Sequence, residues 1–190
     1  KIVGEDLQIV IPTGLGINTF ADELGELSEE LNVFEVESVK FEGEKYFIGE
    51  DVGKVGRYIS TNVGEGRYKN KHYRIFAESV LTLALIKSNI EGLEKEKHKI
   101  KVVTGVPSRE KGTILEEELK QAVEGNHIVK INGKEITFEV KVLKVLAQPL
   151  GTVFSYLLEN GGNNPYVELK NEYVGVIDIG AGTTDIDGIK

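Results

Sequence analysis

Most of the information about the fold lies in one run, Val174-Gly175-Val176-Ile177-Asp178-Ile179-Gly180-Ala181-Gly182-Thr183-Thr184-Asp185. Its first six residues are mostly apolar and rich in β-branched side chains, a pattern typical of a buried strand. A glycine-flanked turn follows, and Thr183 to Ile189 can return beside the first strand as a second one. The run therefore predicts a hairpin.

Two features suit the predicted turn to phosphate. Gly180 and Gly182 allow backbone conformations closed to other residues, so consecutive N–H groups can point into one concavity that accepts anionic oxygens. Asp178 is a hard oxygen ligand at the end of the strand, where a phosphate-bound Mg²⁺ would lie. Together these residues predict a clamp for nucleotide phosphates. A Gly-x-Gly turn also occurs in ordinary hairpins, and spacing alone leaves both interpretations open.

Two other nucleotide-binding motifs do not fit. A dinucleotide fingerprint requires Gly-x-Gly-x-x-Gly at the start of a helix, whereas Asp185 stands at the third glycine position and residues 186–189 do not begin a helix. The phosphate-loop lysine motif does not occur in the sequence either.

The segment from Asp178 to Asp185 resembles the second phosphate-binding motif of the actin/Hsp70/sugar-kinase ATPase superfamily. Other stretches are similar, in the same order, to the ParM-like actin-like proteins of bacteria and archaea. These stretches are Ile-Val-Ile-Pro-Thr-Gly at 9–14, Gly-Glu-Lys-Tyr-Phe-Ile-Gly-Glu at 43–50, Val-Val-Thr-Gly-Val-Pro at 102–107 and Gln-Pro-Leu-Gly-Thr at 148–152. The phosphate motif is specific to the superfamily, and the shorter stretches indicate the branch.

The resemblance implies an α/β fold, the ribonuclease H-like (actin-like ATPase) domain, with a mixed sheet, flanking helices and a small hairpin-bearing subdomain within residues 13–70. It implies ATP and Mg²⁺ as ligands, with Asp178 holding the metal through water. Gln148 and Asp185 would order the attacking water. Backbone amides would grip the phosphates at Gly180, Ala181, Gly182, Thr183 and Thr184.

Gln148 has two interpretations. It precedes Pro149, which fits the first turn of a helix, and the apolar face of that helix would comprise Val153, Phe154, Leu157 and Leu158. Gln148 would then lie at a helix N-terminus beside a strand end, where its amide can orient water. A polar residue that only caps the helix fits the residues equally well, and it is the resemblance that favours a role in hydrolysis.

By the same resemblance, residues 1–190 correspond to the first domain of an actin-like ATPase, without its first phosphate hairpin and its second domain. The full-length protein is expected to hydrolyse ATP and to self-associate into filaments that segregate plasmid or other DNA, with a DNA-bound adaptor as partner. The 190-residue chain alone is expected to bind ATP weakly and to hydrolyse none measurably.

Composition argues against several classes of protein. The net charge of −8 argues against direct nucleic-acid binding as the main activity, because phosphate backbones require clustered Lys and Arg. The absence of Cys excludes thiol catalysis and is compatible with the cytoplasm. No apolar run approaches the roughly 20 residues of a membrane span. The sequence has three scattered histidines, His72, His98 and His127, and we expect each of them at the surface or at its boundary.

The rest of the chain predicts alternating helices and strands. Apolar stripes predict a helix over 71–88, and a second helix is expected over 113–124. A near-continuous apolar run predicts a central, parallel strand over 100–104, ended by Gly105. Asn132-Gly133 is a strong two-residue hairpin signal, and the apolar phase of the strand that follows shifts near Leu143, which indicates a bulge. Leucines at helical spacing give an acidic, weaker helix over 21–31.

Three rival functions remain at this point. A non-polymerising kinase for a sugar or an acid would use the same phosphate turn. A chaperone ATPase of the Hsp70 type fits the stretches at 9–14 and 148–152 poorly. A binding module with an incidental glycine turn would bind no nucleotide at all.

Overall fold

The computed structural model of the chain describes residues 2–3, 7–17, 31–41, 43–61, 64, 66–151, 153, 173–179 and 184–189, with only the backbone of 2, 3, 178, 179, 184, 185 and 189. The chain forms two compact units, residues 1–101 with 121–141 and residues 102–120 with 142–190. Of the predicted helix over 21–31, residues 21–30 lie outside the described residues.

The described strands and helices follow one another in a mixed order. The strands are β1 (Ile2–Val3), β2 (Gln8–Ile9), β3 (Gly14–Ile17), β4 (Val33–Ser38), β5 (Lys45–Gly49), β6 (Arg57–Ser60), β7 (His98–Val106), β8 (Gly125–Ile131), β9 (Lys134–Ala147), β10 (Val174–Ile179) and β11 (Thr184–Ile189). The α-helices are α1 (Lys71–Lys87) and α2 (Ile114–Val123), and residues 148–151 and 153 are also helical. Short 3₁₀ helices are Val39–Phe41, Val52–Lys54, Arg67–Lys69 and Ser108–Glu110.

Seven strands form one sheet in the order β6-β3-β5-β4-β8-β9-β7. The pairs from β6 to β9 are antiparallel. Strand β7 runs parallel to β9. Lys97, just before β7, bonds Glu139 at 3.1 Å, while Gly105 near the other end of β7 lies beside the carbonyl oxygen of Leu146. The sheet is therefore mixed, and the predicted α/β class is confirmed.

Strand β7 differs from its prediction in one respect. It is parallel, as expected, but it is last in the order of the described strands rather than central. Its burial alternates along much of its length, and Val103 is 57% exposed. The lysines at 99 and 101 account for this, because they interrupt the apolar run with a period of two, which marks a half-exposed strand.

Helix α1 buries an apolar face in the first unit. Asn70 begins the helix, since its side-chain oxygen accepts a hydrogen bond from the backbone N–H of His72 (2.9 Å) and satisfies an otherwise free donor. The helix packs on β3, β4, β5 and β8. The buried side chains of this unit include Leu15, Val36, Ile48, Ile75, Leu83, Val129, Ile131, Ile136 and Phe138. The predicted helix over 71–88 is confirmed to within one residue.

The β8–β9 hairpin turns at Asn132-Gly133, as predicted. Both residues have positive φ (47° and 78°), the requirement of the two-residue hairpin turn that asparagine and glycine favour. Further along β9, Leu143 and Lys144 are both exposed between the buried Val142 and Val145. The burial pattern of β9 therefore shifts its phase at Leu143 as the sequence does, and the bulge indicated there stays a prediction.

In the second unit, β10 and β11 form a two-stranded antiparallel hairpin. The predicted hairpin at the end of the chain is thus confirmed, although β10 is not buried throughout: Val176 is buried, whereas Ile177 is 66% exposed. Helix α2 agrees with its prediction to within one residue at each end. None of the described helices has the length and apolar character needed to cross a membrane.

Candidate functional site

The register of the β10–β11 hairpin fixes the positions around the predicted phosphate turn. Ile179 pairs with Thr184, and Asp178 pairs with Asp185. Four residues, 180–183, therefore join the two strands. Gly180, Ala181, Gly182 and Thr183 lie outside the described residues, and the backbone alone is described for Asp178, Thr184 and Asp185.

This register places Asp178 and Asp185 opposite each other, one residue further from the loop than the Ile179–Thr184 pair. Residues directly opposed in an antiparallel pair have neighbouring Cβ atoms, about 4.5–5.5 Å apart. Like charges at opposed positions disfavour a hairpin unless something offsets them. Asp178 and Asp185 therefore occupy opposed positions next to the glycine-rich loop.

Gln148 lies where the sequence predicts it, at the first residue of the helical segment that follows β9. Its side chain is exposed, whereas Pro149 is buried and anchors the first turn. Gly105 of β7 approaches Gln148 closely, and a Cβ atom built on Gly105 would be 3.3 Å from Gln148 Cγ. Since β7 and β9 are parallel, the glutamine stands where the carboxyl ends of two neighbouring strands meet. Ligands tend to bind at such ends in α/β proteins.

The structure brings together only part of the predicted site. Asp178 and Asp185 are paired across the hairpin, and Gln148 is next to the end of β7. Two open depressions contain none of the predicted site residues: one of about 70 Å³ in the first unit beside Phe34 and Lys87, and one of about 300 Å³ in the second unit between α2 and β9.

The first turn of α2, at the edge of the larger depression, is closed by a carboxylate. Glu116 accepts a hydrogen bond from the backbone N–H of Gly112 (2.7 Å) and pairs with Lys111. The hydrogen bond from Lys111, followed by the one from Gly112, holds the pKa of Glu116 below its usual range. This arrangement stabilises the helix start and is not itself a ligand site.

Sequence reasoning missed a buried polar pair in the first unit. His127 is 7% exposed, so its predicted surface or boundary position is wrong. Its Nδ1 lies 3.0 Å from Glu78 Oε2, and its Nε2 lies 3.0 Å from the carbonyl oxygen of Val123. The ring also stacks on Phe138, with centroids 5.1 Å apart. A lone histidine surrounded by alternating residues gives no signal of such a partner.

The comparisons with known proteins agree with this architecture. The family model "Actin like proteins N terminal domain" matches residues 1–151. The apo ParM protein of pSK41 is 26% identical with a TM-score of 0.72, over 96% of this chain and 56% of that chain. An archaeal actin homologue is 25% identical with a TM-score of 0.62, over 98% of this chain and 52% of that chain.

AlfA from the B. subtilis plasmid pLS32, solved as a filament, shares the fold at 15% identity and a TM-score of 0.58, over 94% of this chain and 61% of that chain. No curated protein matches the sequence. The chain spans little more than half the length of these three solved structures. Because the family model covers most of the sequence, the chain belongs to the actin-like ATPase superfamily as the N-terminal portion of a ParM-like protein.

Proposed function

We propose that the full-length protein binds ATP with Mg²⁺, hydrolyses it, and self-associates into filaments. One observation carries the proposal: in a domain of the actin-like family, the hairpin register sets Asp178 and Asp185 on either side of a four-residue loop of sequence Gly-Ala-Gly-Thr. Such a loop can present successive N–H groups to anionic oxygens.

Each predicted residue has a proposed role in this site. Asp178 would hold Mg²⁺ through water, and the ion would supply positive charge that offsets the negative charge of the phosphates. The amides of residues 180–184 receive the β- and γ-phosphate oxygens. Gln148 and Asp185 order the attacking water. In phosphoryl transfer the protein takes little part in covalent chemistry, so catalysis comes from positioning and electrostatic stabilisation.

Filament formation is proposed for the whole protein. AlfA and Alp12, which share the fold, are both described as filament structures, and AlfA comes from a plasmid. We propose segregation of plasmid or other DNA as the biological role, with a DNA-bound adaptor as the partner. The acidic chain (net charge −8) makes direct binding to DNA phosphates unfavourable, which is why an adaptor is invoked. The absence of cysteine suits a cytoplasmic location.

The decisive experiment compares two aspartates of the same hairpin in the full-length protein. Asp178→Ala should reduce Mg-ATP hydrolysis about a hundredfold or more, because it removes the ligand of the metal. Asp187→Ala, on β11 opposite Val176, is the matched control and should leave hydrolysis unchanged. Light scattering with Mg-ATP follows assembly in parallel. Full hydrolysis by Asp178→Ala, or no nucleotide binding by the wild type, would show the proposal to be wrong.

A further inference from the structure

Gly105, the penultimate residue of β7, lies against the side chain of Gln148. A Cβ atom on residue 105 would be 3.3 Å from Gln148 Cγ and 3.4 Å from the carbonyl oxygen of Leu146. Carbon atoms attract one another best at about 3.5–4.0 Å. A side chain at position 105 and Gln148 in its present position would therefore compete for the same space.

Space, and not backbone conformation, is what a side chain at position 105 would be short of. The φ of Gly105 is not among the positive values of the described glycines. Gly112 of the same unit shows the opposite case, with φ at +76° and open space where a Cβ would be. Glycine at position 105 thus allows the strand to approach Gln148 closely, and it is not there to provide a left-handed backbone conformation.

The backbone is held on both sides of this contact. Val106 is fully buried and Pro149 is buried, whereas Gln148 is exposed. The side-chain torsions of the exposed Gln148 can therefore change more easily than the backbone around the contact. A Cβ at position 105 would therefore be accommodated by a shift of the Gln148 side chain of a few tenths of an ångström, which moves its terminal amide.

We propose that Gly105 is a positioning residue for Gln148: the absence of a side chain at 105 sets where the amide of Gln148 lies. This inference rests on the proposed function, in which that amide orders the attacking water. Gly105 acts through Gln148 and does not contact nucleotide. Its replacement should therefore change the turnover rate and leave the affinity for nucleotide as it is.

The test uses the full-length protein and Mg-ATP. Gly105→Ala should lower kcat about threefold with KM unchanged, since a shift of a few tenths of an ångström should cost less than the hundredfold that a misplacement of about 1 Å can cause. Gln148→Ala should lower kcat about a hundredfold. The matched control is Gly151→Ala in the same unit, where nothing lies within 4 Å of the added Cβ and φ is not positive. This variant should keep the wild-type kcat.

A double-mutant cycle shows whether the effect passes through Gln148. In the Gln148→Ala background, Gly105→Ala should cause no further loss, because the side chain that it displaces is gone. A loss of equal size in both backgrounds, or an unchanged kcat for Gly105→Ala, would overturn the inference while the proposed function stands. A wild-type protein without hydrolysis would overturn the proposed function and the inference with it.

Thermal unfolding of the same variants covers the case in which Gly105→Ala is too unstable for kinetics. Without Gln148 Cγ, the nearest neighbour of the added Cβ is an ordinary van der Waals contact at 3.4 Å. The double variant Gly105→Ala/Gln148→Ala should then recover its stability. A double variant as unstable as Gly105→Ala would place the damage elsewhere and overturn the inference.

Discussion

Removal of the carboxylate of Glu78 should be among the most damaging single changes in the first unit. The side chains of Glu78 and His127 are 2% and 6% exposed, and the Oε2–Nδ1 distance is 3.0 Å. The carbonyl oxygen of Val123 can only accept a hydrogen bond, so Nε2 of the ring carries a hydrogen. Nδ1 is left to form its hydrogen bond with the carboxylate of Glu78, so both ring nitrogens have a partner.

The magnitude follows from this burial. Breaking a buried pair by removing one partner costs about 3–5 kcal/mol, because the other group stays buried without a partner. For a chain of this size each kcal/mol shifts Tm by about 2–4 °C. Glu78→Ala should thus lower Tm by about 6–20 °C. Glu78→Gln can still donate from its amide to Nδ1 and should cost only about 1 kcal/mol.

Thermal unfolding of the 190-residue chain, followed by circular dichroism, measures these shifts. Glu91→Ala is the control, since Glu91 is exposed in the turn after α1, and its free-energy change should stay within about 0.5 kcal/mol. Equal Tm values for Glu78→Ala and Glu91→Ala would refute the reasoning. A Glu78→Gln variant as unstable as Glu78→Ala would show that the charge itself, and not the hydrogen bond, is required.

Three further changes test other parts of the structure. Gly14→Ala should destabilise the chain by more than about 2 kcal/mol in urea unfolding, because the new Cβ would overlap the ring of Tyr58 and the backbone carbonyl oxygen of Ile59. Gly53→Ala, with open space around it, should leave the midpoint unchanged. Equal midpoints for the two variants would contradict this. Glu116→Ala should have a lower Tm than Glu117→Ala at neutral pH. The difference should vanish as the pH falls through the lowered pKa of Glu116, because a carboxyl group with a lowered pKa stabilises the fold only while it is ionised. A difference that persists in strong acid would contradict this linkage. Asp185→Asn should raise Tm of the nucleotide-free protein and lower its hydrolysis, and a lower Tm would count against the like-charge argument.

Signals confined to a few neighbouring residues predicted the local structure well. Asn132-Gly133 requires two positive φ angles in succession, and those angles permit one class of hairpin turn. Helix α1 follows from its apolar spacing and from the polar cap at Asn70. In both cases the residues that determine the structure are adjacent in the sequence, so no knowledge of the tertiary fold is needed.

Contacts between distant segments could not be predicted in this way. Asn132 also accepts a hydrogen bond from the backbone N–H of Glu35, 97 residues away, and so ties the β8–β9 hairpin to β4. The Glu78–His127 pair joins residues 49 apart. Such pairings depend on which elements become neighbours, and a single histidine has the same sequence context whether it is buried or exposed.

The same distinction between local signals and long-range contacts applies to the candidate site. The position of Gln148 at a helix start follows from proline chemistry, and the last hairpin follows from its apolar runs and glycine turn. The pairing of Asp178 with Asp185 was not predicted and is known only from the structure. The approach of Gly105 to Gln148 could not be predicted either, because the sequence shows the glycine but not what lies beside it. The sequence alone does not distinguish a glycine that a close contact requires from a glycine that only ends a strand.

The register of the last hairpin bears on whether it is only a structural turn. A four-residue loop can close two strands without a pair of glycines, and opposed aspartates make such a hairpin less stable than asparagine or threonine would. A purely structural hairpin gains nothing from Asp178 opposite Asp185. In the proposed site, a divalent cation held by Asp178 would offset the repulsion between the two carboxylates, and the glycine loop would supply amides to the anion. A stability cost at these positions is therefore what a phosphate site predicts, because functional residues are commonly kept at the expense of stability.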